Sequence, residues 1–140
     1  MSKSTKQLQE ELTSAPDLGL FLRENESSFQ NVQFSDRIQE MFVKSGLSKS
    51  ALAKRAGTSD VYLYQIFSGA RIPSRDKTLC LCFGLSASLE ETQELLKQCG
   101  FAPLYIKNHR DAIILYCLSN GENLETVNDR LFSEKENTLC

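Results

Sequence analysis

The spacing of apolar residues along the chain indicates helices from one end to the other. Phe34, Ile38, Met41 and Phe42 form an i, i+4, i+7, i+8 stripe, the apolar face of an amphipathic helix that ends at Gly46. No segment alternates apolar and polar residues at a period of two with β-branched enrichment, so no strands are predicted. We therefore expect an all-α chain.

Serine and asparagine residues at N-cap positions, with glycine or proline at helix ends, divide the remaining sequence into further segments. Helices are predicted over residues 4–13, 17–24, 49–56, 59–68, 74–85, 88–99 and 108–118, and from 123 onwards. The polar stretch 25–33 is interpreted as a linker, and the polar tail from about residue 133 is expected to be frayed. The predicted organisation is an N-terminal arm and linker, a central domain and an extension, over residues 1–33, 34–100 and 101–140.

The 140 residues carry a formal net charge of −2, which removes the simplest argument for nucleic-acid binding, a basic whole chain. The charge is unevenly distributed. Residues 34–75 hold seven basic and three acidic side chains, a balance of +4, whereas residues 1–33 carry −2 and residues 76–140 carry −4. Positive charge is thus concentrated in one block, which is the electrostatic footprint of a nucleic-acid-binding module.

The sequence argues against secretion, membrane insertion and a metal or redox site. The polar N-terminus lacks the apolar core of a signal peptide, and no apolar run approaches the ~18–20 residues of a membrane span, so a soluble, cytoplasmic protein is expected. Five cysteines, an odd number, do not suggest a disulfide framework. Cys80 and Cys82 are too close for a zinc ligand pair, and His109 has no histidine partner. No cofactor or metal is predicted.

Two short predicted helices within the basic block are separated by a glycine-containing turn, which is the spacing of a helix-turn-helix. The segment from residue 47 to residue 69 reads LSKSALAKRAGTSDVYLYQIFSG. With Arg71 and Pro73 behind it, this segment resembles the Cro/repressor-type (XRE family) helix-turn-helix domain, and the resemblance covers about residues 34–100. It implies a five-helix, lambda-repressor-like bundle, here with short N-terminal helices and a two-helix C-terminal extension.

The resemblance implies that the second helix of the motif, about residues 59–68, enters the major groove of double-stranded DNA. The positions it assigns to base contacts are Ser59, Asp60, Val61, Tyr64 and Gln65. The positions it assigns to phosphate contacts are Lys49, Ser50, Lys54, Tyr62, Ser68, Arg71 and Arg75. Gln65 can pair with adenine and Val61 can touch a thymine methyl group, whereas Asp60 can accept from cytosine but repels phosphate.

The apolar run at residues 113–118 cannot be left exposed to water. One interpretation is a homodimer interface, because helix-turn-helix proteins usually read paired half-sites. The candidate interface residues are Ile113, Ile114, Tyr116 and Cys117. The other interpretation is that the extension only completes the core of the monomer. The extension is too short for a typical ligand-sensing domain, so no small-molecule ligand is predicted.

Two functions remain in competition. The first is a sequence-specific DNA-binding transcription regulator. The second is an adaptor that keeps the fold but binds a protein, because Asp60 and Val61 stand where the family often has polar or basic residues. An enzyme is disfavoured, since His109 and Asp111 do not belong to any visible set of nucleophile, base and orienting group.

Overall fold

The computed structural model describes residues 3–140, except for the side chains of residues 30–32. Within that part of the chain the regular structure is entirely helical, which confirms the all-α prediction. The α-helices are α1 (Thr5–Ser14), α2 (Leu18–Glu24), α3 (Gln30–Ser45), α4 (Lys49–Arg55), α5 (Asp60–Phe67), α6 (Arg75–Gly84), α7 (Leu89–Gln98), α8 (His109–Ser119) and α9 (Leu124–Ser133), with a 3₁₀ turn at Glu26–Ser28. Among these helices, none has the length and apolar character needed to cross a bilayer.

Side-chain caps begin the helices where the sequence predicts them. The hydroxyl groups of Ser48, Ser59 and Ser74 each accept a hydrogen bond from a backbone N–H in the first turn of the following helix. Ser88 does the same and forms a capping box with Glu91, whose carboxylate accepts from the Ser88 N–H. Each cap satisfies a donor that a helix N-terminus otherwise leaves without a partner, which fixes where the helix starts.

The segment interpreted as a linker is helical, so that prediction was wrong. It contains the 3₁₀ turn, and α3 begins at Gln30 rather than near residue 34. Asn25 is buried, and its side-chain amide donates to the Phe21 carbonyl at 3.0 Å and to the Glu11 carboxylate at 2.9 Å. These bonds tie α1 to the end of α2. The first turns of α3 were missed because they carry no apolar stripe, although the backbone is already helical there.

The first of two apolar clusters joins α3, α4, α5, α6 and α7. Its fully buried large side chains are Phe34, Ile38, Leu52, Leu63, Ile66, Leu81 and Leu95. α6 approaches α4 closely at Gly84, where an added Cβ would lie 3.0 Å from the Ala56 Cβ. The absence of a side chain at Gly84 therefore lets the two helices pack closely.

The second cluster places α8 and α9 against α6 and α7. Its members include Leu79, Phe83, Leu96, Ile114, Cys117, Val127, Leu131 and Leu139. Ile114 and Cys117 are both 0% exposed, so neither has surface left for a second copy. Their assignment to a dimer interface was wrong, because these side chains complete the core of the monomer. Ile113 is partly buried, and Tyr116 is 55% exposed.

The tail after α9 is held in place, which contradicts the expectation of fraying. Leu139 is buried in the second cluster, and its N–H donates to the Asn128 side chain at 2.8 Å. The Arg110 guanidinium donates to the carbonyl groups of Asn137 and Thr138. The sequence does not reveal this anchoring, because one apolar residue in a polar stretch has no periodicity.

Reciprocal ion pairs connect the first turns of α6 and α8. An Arg-Asp dipeptide begins α6, and a second one lies in the first turn of α8. The arginine of each dipeptide pairs with the aspartate of the other. Arg75 donates to Asp111 through two nitrogens, at 3.0 and 3.2 Å, and Arg110 donates to Asp76 at 3.0 and 3.1 Å. Such paired, parallel hydrogen bonds fix orientation as well as distance. The extension therefore docks on the preceding helices in a defined register.

Candidate nucleic-acid interface

The helix-turn-helix consists of α4, a short turn and α5. At the turn, Gly57 adopts a left-handed conformation with φ +64°, and its N–H donates to the Lys54 carbonyl at 3.3 Å. The Thr58 N–H then donates to the Ala53 carbonyl at 2.9 Å. Gly57 suits this turn because a side chain would make positive φ costly.

The inner faces of α4 and α5 hold the motif against the bundle. Leu52 and Ala53 of α4 are buried, and so are Leu63 and Ile66 of α5. With one face of α5 fixed in this way, the opposite face of the helix points outward. The outward face is therefore presented by packing on rigid helices rather than by a loop.

The outward face of α5 is unusually apolar for a surface. Val61 is 68% exposed and Tyr64 is 66% exposed, one helical turn apart. Asp60 is also exposed, and Gln65 is half-buried beside them. These four predicted base-contact residues thus belong to one helix face or its edge, which satisfies the geometric requirement for reading a groove.

Ser59, the fifth predicted base-contact residue, already has a structural role. Its hydroxyl oxygen is the N-cap of α5 and accepts from the Tyr62 N–H at 3.1 Å. Ser50 likewise donates its hydroxyl proton to the Asp60 carboxylate at 3.4 Å, which links the starts of α4 and α5. Ser68 donates to the Gln65 carbonyl at 3.2 Å. The hydroxyl protons of Ser50 and Ser68 are therefore already used within the protein, whereas the bond at Ser59 uses a lone pair of its oxygen.

A group of cations lies around the half-buried Tyr62 ring. The Arg71 guanidinium carbon is 5.5 Å from the ring centroid, and the Lys77 ammonium nitrogen is 5.9 Å from it. Both distances allow cation–π attraction, which holds the two charges near each other. Burial raises the pKa of the Tyr62 phenol, so its hydroxyl remains a neutral hydrogen-bond donor at ordinary pH.

Lys77 was missed by the sequence analysis. It lies in the first turn of α6, outside the helix-turn-helix, and only its position near Arg71 in space reveals it. Lys49 and Lys54 of α4 are exposed, as predicted phosphate-contact residues must be. Basic side chains therefore come both from the helix before α5 and from the segment after it.

Arg75 is not available as a phosphate contact, so that prediction was wrong. Its guanidinium donates to Asp111, to the Ala102 carbonyl at 3.1 Å and to the Pro103 carbonyl at 3.4 Å. A phosphate would have to displace these partners and leave a buried carboxylate without its cation, which is costly. Arg75 holds the extension in place instead.

The described residues show no arrangement that suggests metal chemistry, since no group of three His, Cys, Asp or Glu side chains could hold an ion. Burial raises the pKa of Cys82 to about 12, so this thiol stays protonated at ordinary pH. His109 lies 3.6 Å from the Glu136 carboxylate on the surface of α8.

Comparison with known proteins agrees with this geometry. A family model described as a helix-turn-helix domain matches residues 17–95, from the N-cap of α2 into α7. No curated protein and no solved structure matches the chain. The matched segment covers more than half of the 140 residues and includes α4, the turn and α5. The chain therefore belongs to the helix-turn-helix domain family.

Proposed function

We propose that the protein is a sequence-specific DNA-binding transcription regulator of the Cro/repressor (XRE) type. The observation that carries this proposal is the outward face of α5, which is held rigidly and is flanked by exposed cations of α4 and of the segment after α5. A helix fits the major groove, about 12 Å wide, and flanking cations can neutralise the phosphates on either side.

The two sets of side chains have different tasks in this proposal. Val61, Tyr64 and Gln65 face the base edges, with Asp60 favouring a cytosine amino group at the start of the helix. Lys49, Lys54 and the Arg71–Lys77 pair contact phosphate groups. Phosphate contacts set the position and the salt dependence of binding, whereas base contacts set the sequence.

The proposal includes a homodimer, because paired half-sites require two reading helices. Ile114 and Cys117 are buried, so the candidate interface residues left for it are Ile113 and Tyr116. Both line the groove between α8 and α9. Light scattering coupled to size exclusion tests this part, with Tyr116→Arg expected to give a monomer if the groove is the interface.

The deciding experiment selects DNA from a random library with the purified full chain. The expected result is an enriched, palindromic sequence, bound with an affinity that falls steeply between 50 and 200 mM salt. Lys49→Ala and Arg71→Ala should each weaken binding to all sequences and lower the salt slope by about 1. Val61→Ala should change which base is preferred. Lys97→Ala, an exposed lysine on α7, is the matched control and should leave binding unchanged.

A protein-binding adaptor is the second candidate, and one observation favours it. Val61 and Tyr64 expose apolar surface next to the acidic Asp60, a combination better suited to a protein than to phosphate. The same experiment separates the two functions. No enriched sequence, together with no DNA affinity at low salt, would overturn the DNA proposal and leave the adaptor.

A further inference from the structure

Two cysteines from distant parts of the sequence meet at the second apolar cluster. Cys80, on α6, is 1% exposed, and its thiol contacts the Leu139 carbonyl at 3.8 Å. Leu139 directly precedes Cys140, and the Cys80 and Cys140 thiols are close enough to interact with each other. Asn128 of α9 holds Cys140 from the other side, because its amide nitrogen lies 3.3 Å from the Cys140 sulfur. The two sulfur atoms are therefore kept next to each other by contacts from three elements.

The cysteine pair lies directly behind the helix-turn-helix. A Cβ built on Gly57 would be 3.4 Å from the Cys140 sulfur and 3.3 Å from the Leu124 side chain. The tail residue thus lies against the turn between α4 and α5, where Gly57 stays exposed. The Cys80 thiol is also close enough to Lys77 to interact with its positive charge. A covalent link at this place would join the tail to the helix that carries Lys77, beside the turn of the motif.

The two thiols differ in access to solvent. Burial is the main cause that raises the pKa of the Cys80 thiol, and the neighbouring Cys140 thiol raises it further. Cys140 is exposed. An oxidant dissolved in water therefore reaches Cys140 first, and Cys80 is positioned to attack the oxidised sulfur from within the protein.

We propose that Cys80 and Cys140 are a disulfide-forming pair, which a hydroperoxide converts into an intramolecular bond that fixes the tail behind the helix-turn-helix. The Cys140 sulfur attacks one oxygen of hydrogen peroxide, the O–O bond breaks, and a sulfenic acid and water result. The Cys80 sulfur then attacks the sulfenic sulfur and expels its hydroxyl group, which leaves as water with the Cys80 proton. Overall, two thiols and one peroxide give one disulfide and two waters, with both sulfurs oxidised and the peroxide oxygens reduced.

The remaining cysteines do not share this arrangement. Cys82 lies near the Thr92 hydroxyl and Cys99 lies near the Thr78 hydroxyl. Cys117 lies near Glu122 and is fully buried. Each of these thiols is buried and has no exposed thiol beside it among the contacts described, whereas the Cys80–Cys140 pair combines one buried and one exposed sulfur.

The test treats the reduced, folded full chain with one equivalent of hydrogen peroxide and records its intact mass. The expected result is a monomer lighter by two hydrogens, about 2 Da, whose mass is restored by a thiol reductant. Trypsin digestion without reductant should then release the peptide of residues 78–97 joined by the disulfide to the peptide of residues 136–140. The linked protein should also unfold at a higher urea concentration, because the bond closes a long loop in the unfolded chain.

Two variants make the result decisive. Cys140→Ser should abolish the mass loss, and Cys82→Ser should keep it, which identifies the bonded cysteine within the peptide of residues 78–97. The proposal is overturned if Cys140 only gains oxygen atoms, if the link runs through Cys82, or if the sole product is a disulfide between two copies. None of these outcomes depends on what the face of α5 binds.

Discussion

Replacing Ile114 by alanine should destabilise the whole protein, because this side chain joins the extension to the rest of the fold. The side chain is 0% exposed in the second apolar cluster. The three carbons that the substitution removes are worth about 0.8 kcal/mol each, or about 2.4 kcal/mol, before the cavity is considered. With the cavity, the expected loss in the free energy of unfolding is about 2–5 kcal/mol.

Urea unfolding followed by far-ultraviolet circular dichroism measures this loss. With a slope of about 2 kcal/mol/M, the midpoint of Ile114→Ala should fall by about 1–2.5 M in a single transition. The control is Phe132→Ala on α9, where the side chain is 78% exposed and lies outside the groove proposed as the dimer interface. It should change the free energy of unfolding by less than about 1 kcal/mol. A midpoint unchanged by Ile114→Ala, or a separate early transition, would refute the claim that the extension and the preceding helices share one core.

Three further changes probe other parts of the fold. Gly84→Ala should lower the free energy of unfolding by up to about 2 kcal/mol. The new methyl group would lie 3.0 Å from a carbon and 3.2 Å from a backbone nitrogen at the end of α4. The cost of this crowding outweighs the gain in helix propensity, which is about 1 kcal/mol. Asp111→Ala should cost about 2–4 kcal/mol in urea unfolding, because Arg75 loses its partner while partly buried. Arg130 donates to Glu122 and lowers the pKa of that carboxyl below 4.5, so Glu122→Gln should reduce stability at pH 7 and make little difference once the pH has fallen through the lowered pKa.

Each of these changes has its own control. Ala56→Gly should recover part of the loss in the Gly84→Ala protein, because it removes the methyl group in contact. Glu40→Ala breaks an exposed ion pair with Arg37 and should change stability by less than about 0.5 kcal/mol. Equal losses in the free energy of unfolding for Glu40→Ala and Asp111→Ala would show that the buried ion pair stabilises the fold no more than the exposed one. A Glu122→Gln effect that persists at low pH would contradict the ionic origin of the bond.

Local chemistry made most of the fold predictable, and distant contacts made the rest unpredictable. Helix starts at Ser48, Ser74 and Ser88 were predicted because a hydroxyl cap needs only the next three residues. The start of α3 was missed because its first turns have no apolar stripe. The anchoring of Leu139 was missed for two reasons. Its partner on α6, Cys80, is distant in the sequence, and its bond to Asn128 on α9 follows no sequence pattern.

The candidate interface shows the same division. Exposure of Val61 and Tyr64 follows from the helical period once Leu63 and Ile66 are assigned to the core. Arg75 was assigned to phosphate because its partner, Asp111, lies 36 residues away and no local rule connects them. For the same reason, the position of a cation such as Lys77 near the motif becomes visible only in three dimensions.

The crosswise Arg-Asp pairs between α6 and α8 have an evolutionary consequence. A gene segment that ended at Gly100 would encode a bundle with Arg75 and Asp76 deprived of their counterions and one apolar side left uncovered. A new partner for the bundle would have to supply both charges in the same order. The segment that must be inherited together is therefore larger than the matched helix-turn-helix segment. Recombination that separates the extension from the preceding helices should be selected against.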